Sequence, residues 1–410
     1  MRLVALILLA VIAPAAQAQV GNPAAANATV ADFPKGTATP SQECGECHEA
    51  IYREFSTGFG SDLKYGRIVY QSLRDKTLSL PAHVSSSATL HAVAGEDPFP
   101  IHARDVEEKG NSCNVCHFPQ AFEIPPMENP EMAKPIPRPR GEETGGLTCA
   151  SCHLTPDGKI RGPHKVVAPH EMVLEPRMQT SAMCAYCHSL GKRVVGKQTQ
   201  TFLEWREDFN KPGLGSQQCQ DCHMPRTLRQ PVEDVGIPVR AVARHLWTGG
   251  HSQQRLSSAL SLVVVQPEEA QSNLSLYVIN IGAGHSVPTG SNRRAVYLHA
   301  DIIDSRGRVV ANREWMFAPW YGNRPDDRAF LEEGKKRPDA MAATQADAQG
   351  PHETSIRAGE ERMLSWSPAL AAGSYTVRAA LVYDLNRYND RAFKEDQTEI
   401  QRSSLPIAVK

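Results

Sequence analysis

Several features that a folded chain of this length normally has are scarce here. Only 6% of the 410 residues are aromatic, which is little for a conventional core. Neither sign of charge predominates, with 44 basic and 45 acidic residues, so the basic field that nucleic-acid binding needs is missing. After the N-terminus, no apolar run approaches the roughly 20 residues of a membrane span. We therefore expect no nucleic-acid partner and no membrane span.

The N-terminus has the pattern of a segment that is removed during export. Arg2 is followed by an apolar run over residues 3–12 and by small residues that end at Ala18. This pattern predicts a secretory signal peptide over residues 1–18, because the apolar run is too short for a membrane anchor. The mature chain is then expected in the periplasm, with the cell surface or the extracellular space as alternatives.

No cysteine stands alone in this sequence. All ten occur as C-x-x-C pairs, and a histidine directly follows each pair. The paired cysteines are Cys44 and Cys47, Cys113 and Cys116, Cys149 and Cys152, Cys184 and Cys187, and Cys219 and Cys222. The histidines that follow them are His48, His117, His153, His188 and His223. C-x-x-C-H is the attachment sequence of c-type haem, in which both thiols bind the macrocycle and the histidine ligates the iron from the proximal side.

Other uses of paired cysteines fit these motifs less well. A zinc site built on C-x-x-C needs a second pair or distant histidines, and not a histidine beside every pair. A thioredoxin-like redox site has a single motif near a βαβ pattern. Disulfides are common in exported proteins, but they do not require the histidines. The sequence therefore predicts five covalently bound haem c groups. Between residues 44 and 223 these haems must lie nearly in contact, and they would supply the core that the aromatic residues do not.

Five irons need at most five distal ligands, and the sequence holds 15 histidines in total. A second histidine closes an iron, whereas an iron without one can bind a small molecule. Local context favours five candidates for the distal position and leaves two weaker ones. The favoured candidates are His91, His164, His170, His245 and His251, and the weaker ones are His102 and His285. The number of closed irons decides between an electron carrier and an enzyme.

Several stretches of the chain are similar to those of a known family. They are Cys44-Gly-Glu-Cys-His48-Glu-Ala-Ile-Tyr52, Gly146-Leu-Thr-Cys149-Ala-Ser-Cys-His153, Thr180-Ser-Ala-Met-Cys184-Ala-Tyr-Cys-His188, Phe202-Leu-Glu-Trp205, Cys219-Gln-Asp-Cys-His223-Met-Pro225 and Gly284-His285-Ser-Val-Pro-Thr-Gly290. Together they resemble the multihaem c-type cytochromes related to the pentahaem nitrite reductase and hydroxylamine oxidoreductase group. The resemblance implies a haem domain followed by a C-terminal β-domain.

Neither enzymatic activity of that group follows from the resemblance. The nitrite reductases use a lysine in place of one proximal histidine, but all five motifs here end in histidine. Hydroxylamine oxidoreductases carry more haems than this chain can attach. Members of the group also often have a distal histidine shortly after the first motif, and residues 55–60 contain none.

The chain divides into segments of different composition. Residues 19–40 are rich in Ala, Asn, Pro and Thr and are expected to be disordered. Residues 41–252 are expected to form a multihaem cytochrome c domain with short helices and long loops around the haems, including a helix over residues 203–209. Residues 253–410 are expected to form an all-β, immunoglobulin-like sandwich of about seven strands. Four strands are predicted from alternating apolar residues, at 260–265, 274–281, 296–304 and 373–384, and a polar insertion is predicted at 320–353.

Three functions are compatible with these patterns. The favoured one is a protein that carries electrons between redox partner proteins outside the cytoplasm, because the haems are dense and histidines are ample. The second is an oxidoreductase that acts on a small nitrogen, sulfur or peroxide species at one open haem. The third is a homo-oligomer, a haem filament in which a histidine of one copy completes a haem of the next.

Overall fold

The computed structural model describes two parts of the chain that differ in architecture. The described residues are 41–57, 149–155, 157–188, 201–233, 236–250, 252–268, 271–290, 294–319, 354–385, 387 and 397–410. Among them, no helix has both the length and the apolar character needed to cross a membrane.

Several sequence-based predictions concern residues outside these ranges. They include the signal peptide, the disordered segment and the insertion at 320–353. The second C-x-x-C-H motif, formed by Cys113, Cys116 and His117, also lies outside the described residues. The same is true of the distal candidates His91, His102 and His251. The haem that the second motif would attach therefore stays a prediction from the sequence.

The first part consists of short helices and two small sheets. The helices are α1 (Ser41–Gly45), α2 (Glu49–Thr57), α3 (Cys149–His153), α4 (Ala182–His188), α5 (Thr201–Glu204) and α6 (Cys219–His223). A 3-10 turn covers Pro176–Gln179, and a π-helical segment, Trp205–Asn210, continues α5 over the predicted helix. Strand β1 (Ile160–Gly162) pairs in parallel with β2 (Met172–Leu174), and β3 (Arg226–Arg229) pairs antiparallel with β4 (Arg240–Ala243).

The described C-x-x-C-H motifs are associated with helical turns. Helices α3, α4 and α6 each end at the histidine of their motif, and the His48 N–H donates to the Cys44 carbonyl in a helical hydrogen bond of 2.9 Å. Helices of only one or two turns are not stable alone in water. These helices therefore depend on contacts made beyond their own backbone.

The second part contains one short helix and, within the described residues, seven strands. Helix α7 (Gln253–Ala259) leads into β5 (Leu260–Val265), β6 (Leu274–Asn280), β7 (Ala295–Asp304), β8 (Val309–Phe317), β9 (Glu361–Trp366), β10 (Gly373–Asp384) and β11 (Gln397–Val409). All strand pairs are antiparallel, in one sheet of order β11-β10-β7-β8 and another of order β5-β6-β9. The four predicted strands coincide with β5, β6, β7 and β10 to within a residue.

A single apolar cluster draws on both sheets of the second part. Leu276 of the three-stranded sheet belongs to the same buried cluster as Leu298 and Leu381 of the four-stranded sheet. Trp315 and Trp366 connect the sheets edge to face, with ring centroids 6.2 Å apart. Burial of this apolar surface is the main term that stabilises such a layered domain. The two sheets agree with the expected layers, and the immunoglobulin-like assignment stays a prediction.

The loop between β6 and β7 reaches from the second part to the first. Gly284 lies against the Phe209 ring, so that a Cβ there would come within 3.0 Å of it. The Thr201 and Thr289 hydroxyl oxygens, one from each part, are 2.9 Å apart. At Gly282 a Cβ would come within 1.9 Å of the Ser258 carbonyl oxygen, so only glycine fits there. The loop is therefore packed closely on both sides.

Candidate haem sites

The cysteines of the four described motifs are present as thiols. None of the eight forms a disulfide. The second cysteine of each motif stands one helical turn after the first, and these second cysteines are Cys47, Cys152, Cys187 and Cys222. Cys47 is exposed, and the other seven cysteines are half-buried. Each described motif thus keeps both thiols available for a haem, and the attachment itself stays a prediction.

Two pairs of thiols join different motifs. The Cys44 thiol donates a hydrogen bond to Cys149, and the Cys184 thiol donates one to Cys219. These contacts join the first motif to the third and the fourth to the fifth. Because each thiol marks the edge where a haem would attach, neighbouring attachment points lie side by side.

Three histidines of the motifs are oriented by backbone carbonyl groups. The distance from Nδ1 to the carbonyl oxygen is 2.9 Å for His48 and Pro231, 3.0 Å for His153 and Arg161, and 2.5 Å for His223 and Thr248. A histidine that donates from Nδ1 keeps Nε2 as the unprotonated, metal-binding nitrogen, and the bond fixes the orientation of the ring. This is the arrangement that a histidine ligand of iron requires.

His153 of the third motif faces His245. Their ring centroids are 6.2 Å apart, and their planes are inclined by 36°. Two imidazoles that share one metal ion have centroids about 6 Å apart, because each metal–nitrogen bond measures about 2 Å and each ring adds roughly 1 Å. Nδ1 of His245 lies 3.1 Å from the Ala243 carbonyl oxygen, which leaves its Nε2 for the metal. Burial lowers the pKa of His245 to about 4, so the ring is in the neutral form that ligates.

His223 of the fifth motif faces His285 in the same way. The ring centroids are 6.1 Å apart, and the planes are inclined by 16°. Nδ1 of His285 lies 2.8 Å from the Ser286 carbonyl oxygen, and burial lowers the pKa of the His285 ring. His285 belongs to the loop between β6 and β7. The two rings of this pair therefore come from different parts of the molecule.

Side chains from both parts hold the loop that carries His285. Asn280, at the end of β6, donates from Nδ2 to the His285 carbonyl oxygen over 2.8 Å. From the first part, Oε2 of Glu204 accepts hydrogen bonds from the Ser286 N–H at 3.2 Å and from the Thr289 hydroxyl at 2.7 Å. Burial raises the pKa of the Glu204 carboxyl.

A third distal candidate, His170, lies near motif histidines. Burial, followed by repulsion from His48, lowers the pKa of His170. Burial also lowers the pKa of His153, and repulsion from both His48 and His170 adds to this effect. His170 is therefore within electrostatic reach of the proximal histidines of the first and third motifs.

The remaining described candidate, His164, has different surroundings. Its side chain is exposed, and it makes no ring contact with another histidine of the described residues. Its pKa is lowered by burial and then by the charges of Arg240 and Arg226. The structure thus brings His170, His245 and His285 to motif histidines and leaves His164 apart, and the ligand role of each stays a prediction.

Sequence reasoning ranked His285 low and did not identify Glu204 or Asn280. His285 lies in the segment that the sequence predicts to be a β-domain, and its local context placed it below the five favoured candidates. The signal was present, because both Glu204 and His285 fall in stretches that carry the family resemblance.

Comparison with known proteins identifies the fold of the chain through a solved structure. No family model matches the chain, and no curated protein matches it. Among solved structures it is similar to a penta-heme cytochrome c552 from Thermochromatium tepidum, with 19% identity and a TM-score of 0.52 over 91% of this chain and 100% of that one. The chain therefore has the fold of a multihaem cytochrome.

A second match covers less of the molecule. The C-terminal domain of wzt aligns with 37% of this chain and 74% of its own, at 12% identity. Its TM-score of 0.20 is too low to support an argument about fold.

Proposed function

We propose that this chain is an exported pentahaem c-type cytochrome that carries electrons between redox partner proteins outside the cytoplasm. The observation that carries the proposal is the pairing of half-buried histidines at the separation of two ligands on one iron, 6.2 Å for His153 and His245 and 6.1 Å for His223 and His285. The fold that the chain shares with a penta-heme cytochrome c552 supports it.

The residues at these sites fit haem c. Each described motif offers two thiols for covalent attachment and one histidine for the iron, and in three motifs a backbone carbonyl holds that histidine in its metal-binding orientation. Haem c, when bound, supplies a one-electron redox centre whose potential depends on its axial ligands and its burial.

Closed irons favour transport over catalysis. A histidine on each face leaves no position for a substrate on the iron. His245 and His285 are both half-buried, and a hydrogen bond through Nδ1 orients each ring without the metal. We assign His170 to the first iron, His245 to the third and His285 to the fifth. The contacts between cysteines of different motifs place the attachment points next to each other, which favours short steps for electrons.

The proposal is tested on the secreted holoprotein. Mass spectrometry is expected to count five haem adducts, and electron paramagnetic resonance of the oxidised protein is expected to show low-spin irons at the paired sites. His285→Ala is expected to turn about one iron in five high-spin and able to bind cyanide. His299→Ala is the matched control, because His299 is a half-exposed histidine of β7 that pairs with Glu314 at 2.9 Å.

Two outcomes would count against the proposal. Fewer than five adducts would remove the pentahaem assignment. A wild-type protein in which a high-spin iron binds cyanide or nitric oxide would favour the oxidoreductase interpretation, and a His285→Ala spectrum identical to that of the His299→Ala control would refute the ligand role of His285.

A further inference from the structure

We infer that Glu54 is a positioning residue that holds His245 in place at the third haem and links that site to the first haem. This inference rests on the proposed function, because it takes His245 as a ligand of the third iron. It concerns a residue that lies outside every C-x-x-C-H motif.

Four hydrogen bonds converge on the Glu54 carboxylate. Oε2 accepts from the backbone N–H of His245 at 3.0 Å. Arg229 donates from both terminal nitrogens, one to each carboxylate oxygen, at 2.8 Å each, and Arg244 donates from Nε at 3.0 Å. An ionised carboxylate offers about four acceptor positions, so these bonds fill them. The side chain is only 11% exposed, and its partners are therefore fixed by the fold.

The carboxylate forms ion pairs with two cations, with Arg229 at 2.8 Å and with Arg244 at 3.0 Å. One negative charge thus faces two guanidinium groups beside the His245 backbone. Loss of that charge would leave Arg229 and Arg244 as uncompensated cations near the third site.

Glu54 is tied to the first motif through its own helix. Helix α2 begins directly after His48, and the Tyr52 N–H donates to the His48 carbonyl oxygen at 2.8 Å. Glu54 therefore contacts the distal histidine of the third site from a helix that continues the first motif.

The segment that Glu54 holds has an unusual backbone. Trp247 has a φ of 41°, in the left-handed region that a bulky residue adopts only when its surroundings impose it. The Trp247 ring makes edge-to-face contacts with His245 at 5.4 Å and with Phe55 at 5.6 Å between centroids. Glu54 and Phe55 are neighbours on α2, so one helix restrains the segment at two points.

The same segment also serves the fifth site. The Thr248 carbonyl oxygen accepts the hydrogen bond from Nδ1 of His223, and the Ala243 carbonyl oxygen accepts that from His245. Residues 243–248 therefore set the orientation of one ligand at the third site and one at the fifth. A displacement of this segment would therefore change the orientation of a histidine at both the third and the fifth sites.

Three variants of the holoprotein separate positioning from a structural ion pair. In Glu54→Gln the amide oxygen still accepts from the His245 N–H but the charge is lost. We expect low-spin irons, with the reduced form of one haem favoured about ten-fold, which corresponds to 59 mV for one electron. In Glu54→Ala the acceptor is lost as well, and we expect one high-spin iron that binds cyanide. Glu54→Asp keeps the charge and is expected to restore most of the low-spin signal.

The control removes a carboxylate that also pairs with two cations but lies at the surface. Glu207 bonds to Arg206 at 2.7 Å and to Lys211 at 2.6 Å, and all three side chains are exposed. Glu207→Gln is expected to leave every haem potential and the spin state unchanged. The same loss of charge is thus compared at a carboxylate bonded to a proposed ligand and at an exposed carboxylate with no such bond among those described.

The outcomes distinguish this inference from the proposed function. If the wild type shows low-spin irons but Glu54→Gln and Glu54→Ala both keep wild-type potentials and spectra, Glu54 is a structural ion pair and the inference is wrong. If the wild type shows no low-spin haem at all, the assignment of His245 as a ligand fails first.

Discussion

The two parts of this molecule place their apolar side chains very differently. Among the described residues, the first part buries four apolar side chains, those of Phe55, Ala150, Val242 and Leu246, and all the other buried apolar side chains lie after residue 253. The second part has strands of 6 to 13 residues that pack on one shared cluster. The first part, by contrast, has helices of 4 to 9 residues. The described residues of the first part therefore supply little apolar core.

The difference indicates what each part is built around. A segment that buries little apolar surface cannot offset the conformational entropy that folding costs. In the first part, covalently held haems would supply both the buried surface and the cross-links. The second part supplies its own buried surface, and it is expected to keep its structure without cofactors. Three predictions test this contrast, through the loss of one haem, the loss of one core side chain and the titration of one carboxyl group.

The largest effect is expected from loss of one haem. Cys149→Ser combined with Cys152→Ser removes both anchors of the third haem, which the thiol contacts place beside the first. We expect proteases to cleave the first part about ten times faster, because loss of the haem lowers the free energy of local unfolding there. Residues 253–410 are expected to stay protected. Limited proteolysis of the full chain with mass spectrometry measures this. Equal protection of both parts in this variant would contradict the claim that only the first part depends on its haems.

A smaller effect is expected from a cavity in the second part. Leu276 is completely buried between the two sheets, so Leu276→Ala is expected to lower the free energy of unfolding by about 3 kcal/mol. Met363→Ala on β9 is the control, because that side chain is 56% exposed, and the expected change is within about 0.5 kcal/mol. Urea unfolding followed by circular dichroism gives both values, and a cost below that of the control would contradict the assignment of this core.

The smallest effect is expected where the two parts meet. Burial raises the pKa of Glu204 above its ordinary value of 4.5, so the folded protein binds this proton more tightly than the unfolded chain does. The stability that Glu204 contributes is therefore lost as the pH rises from about 4.5 through the folded pKa. In Glu204→Gln this loss is absent, and its stability relative to wild type should rise with pH over this window. A pH-independent difference in urea unfolding would show that the carboxyl is not perturbed.

Local patterns in the sequence were sufficient for part of this picture. The C-x-x-C-H spacing is contained within five residues, and the alternation along β10 is contained within one strand, so both could be predicted without knowledge of the fold. The strands β8, β9 and β11 were not located individually, although about seven strands were expected.

The ligand pairs and their supports depend on contacts between residues far apart in the chain. His153 meets His245, and Glu54 meets Arg229 and Arg244, only after the chain has folded back on itself. No periodicity or spacing encodes such contacts. The contact between His223 and His285 is of the same kind, because the two residues lie in different parts of the molecule.

The position of His285 has a consequence for how the protein could be monitored. Under the proposed assignment, a ligand carried by the loop between β6 and β7 would make the visible absorption of the fifth haem depend on the tertiary structure of the second part. On gentle heating or in mild denaturant, loosening of the second part would then withdraw the His285 ring and change the absorption of that single haem without loss of its covalent attachment. Visible light would then follow the unfolding of a domain that has no chromophore of its own in that range.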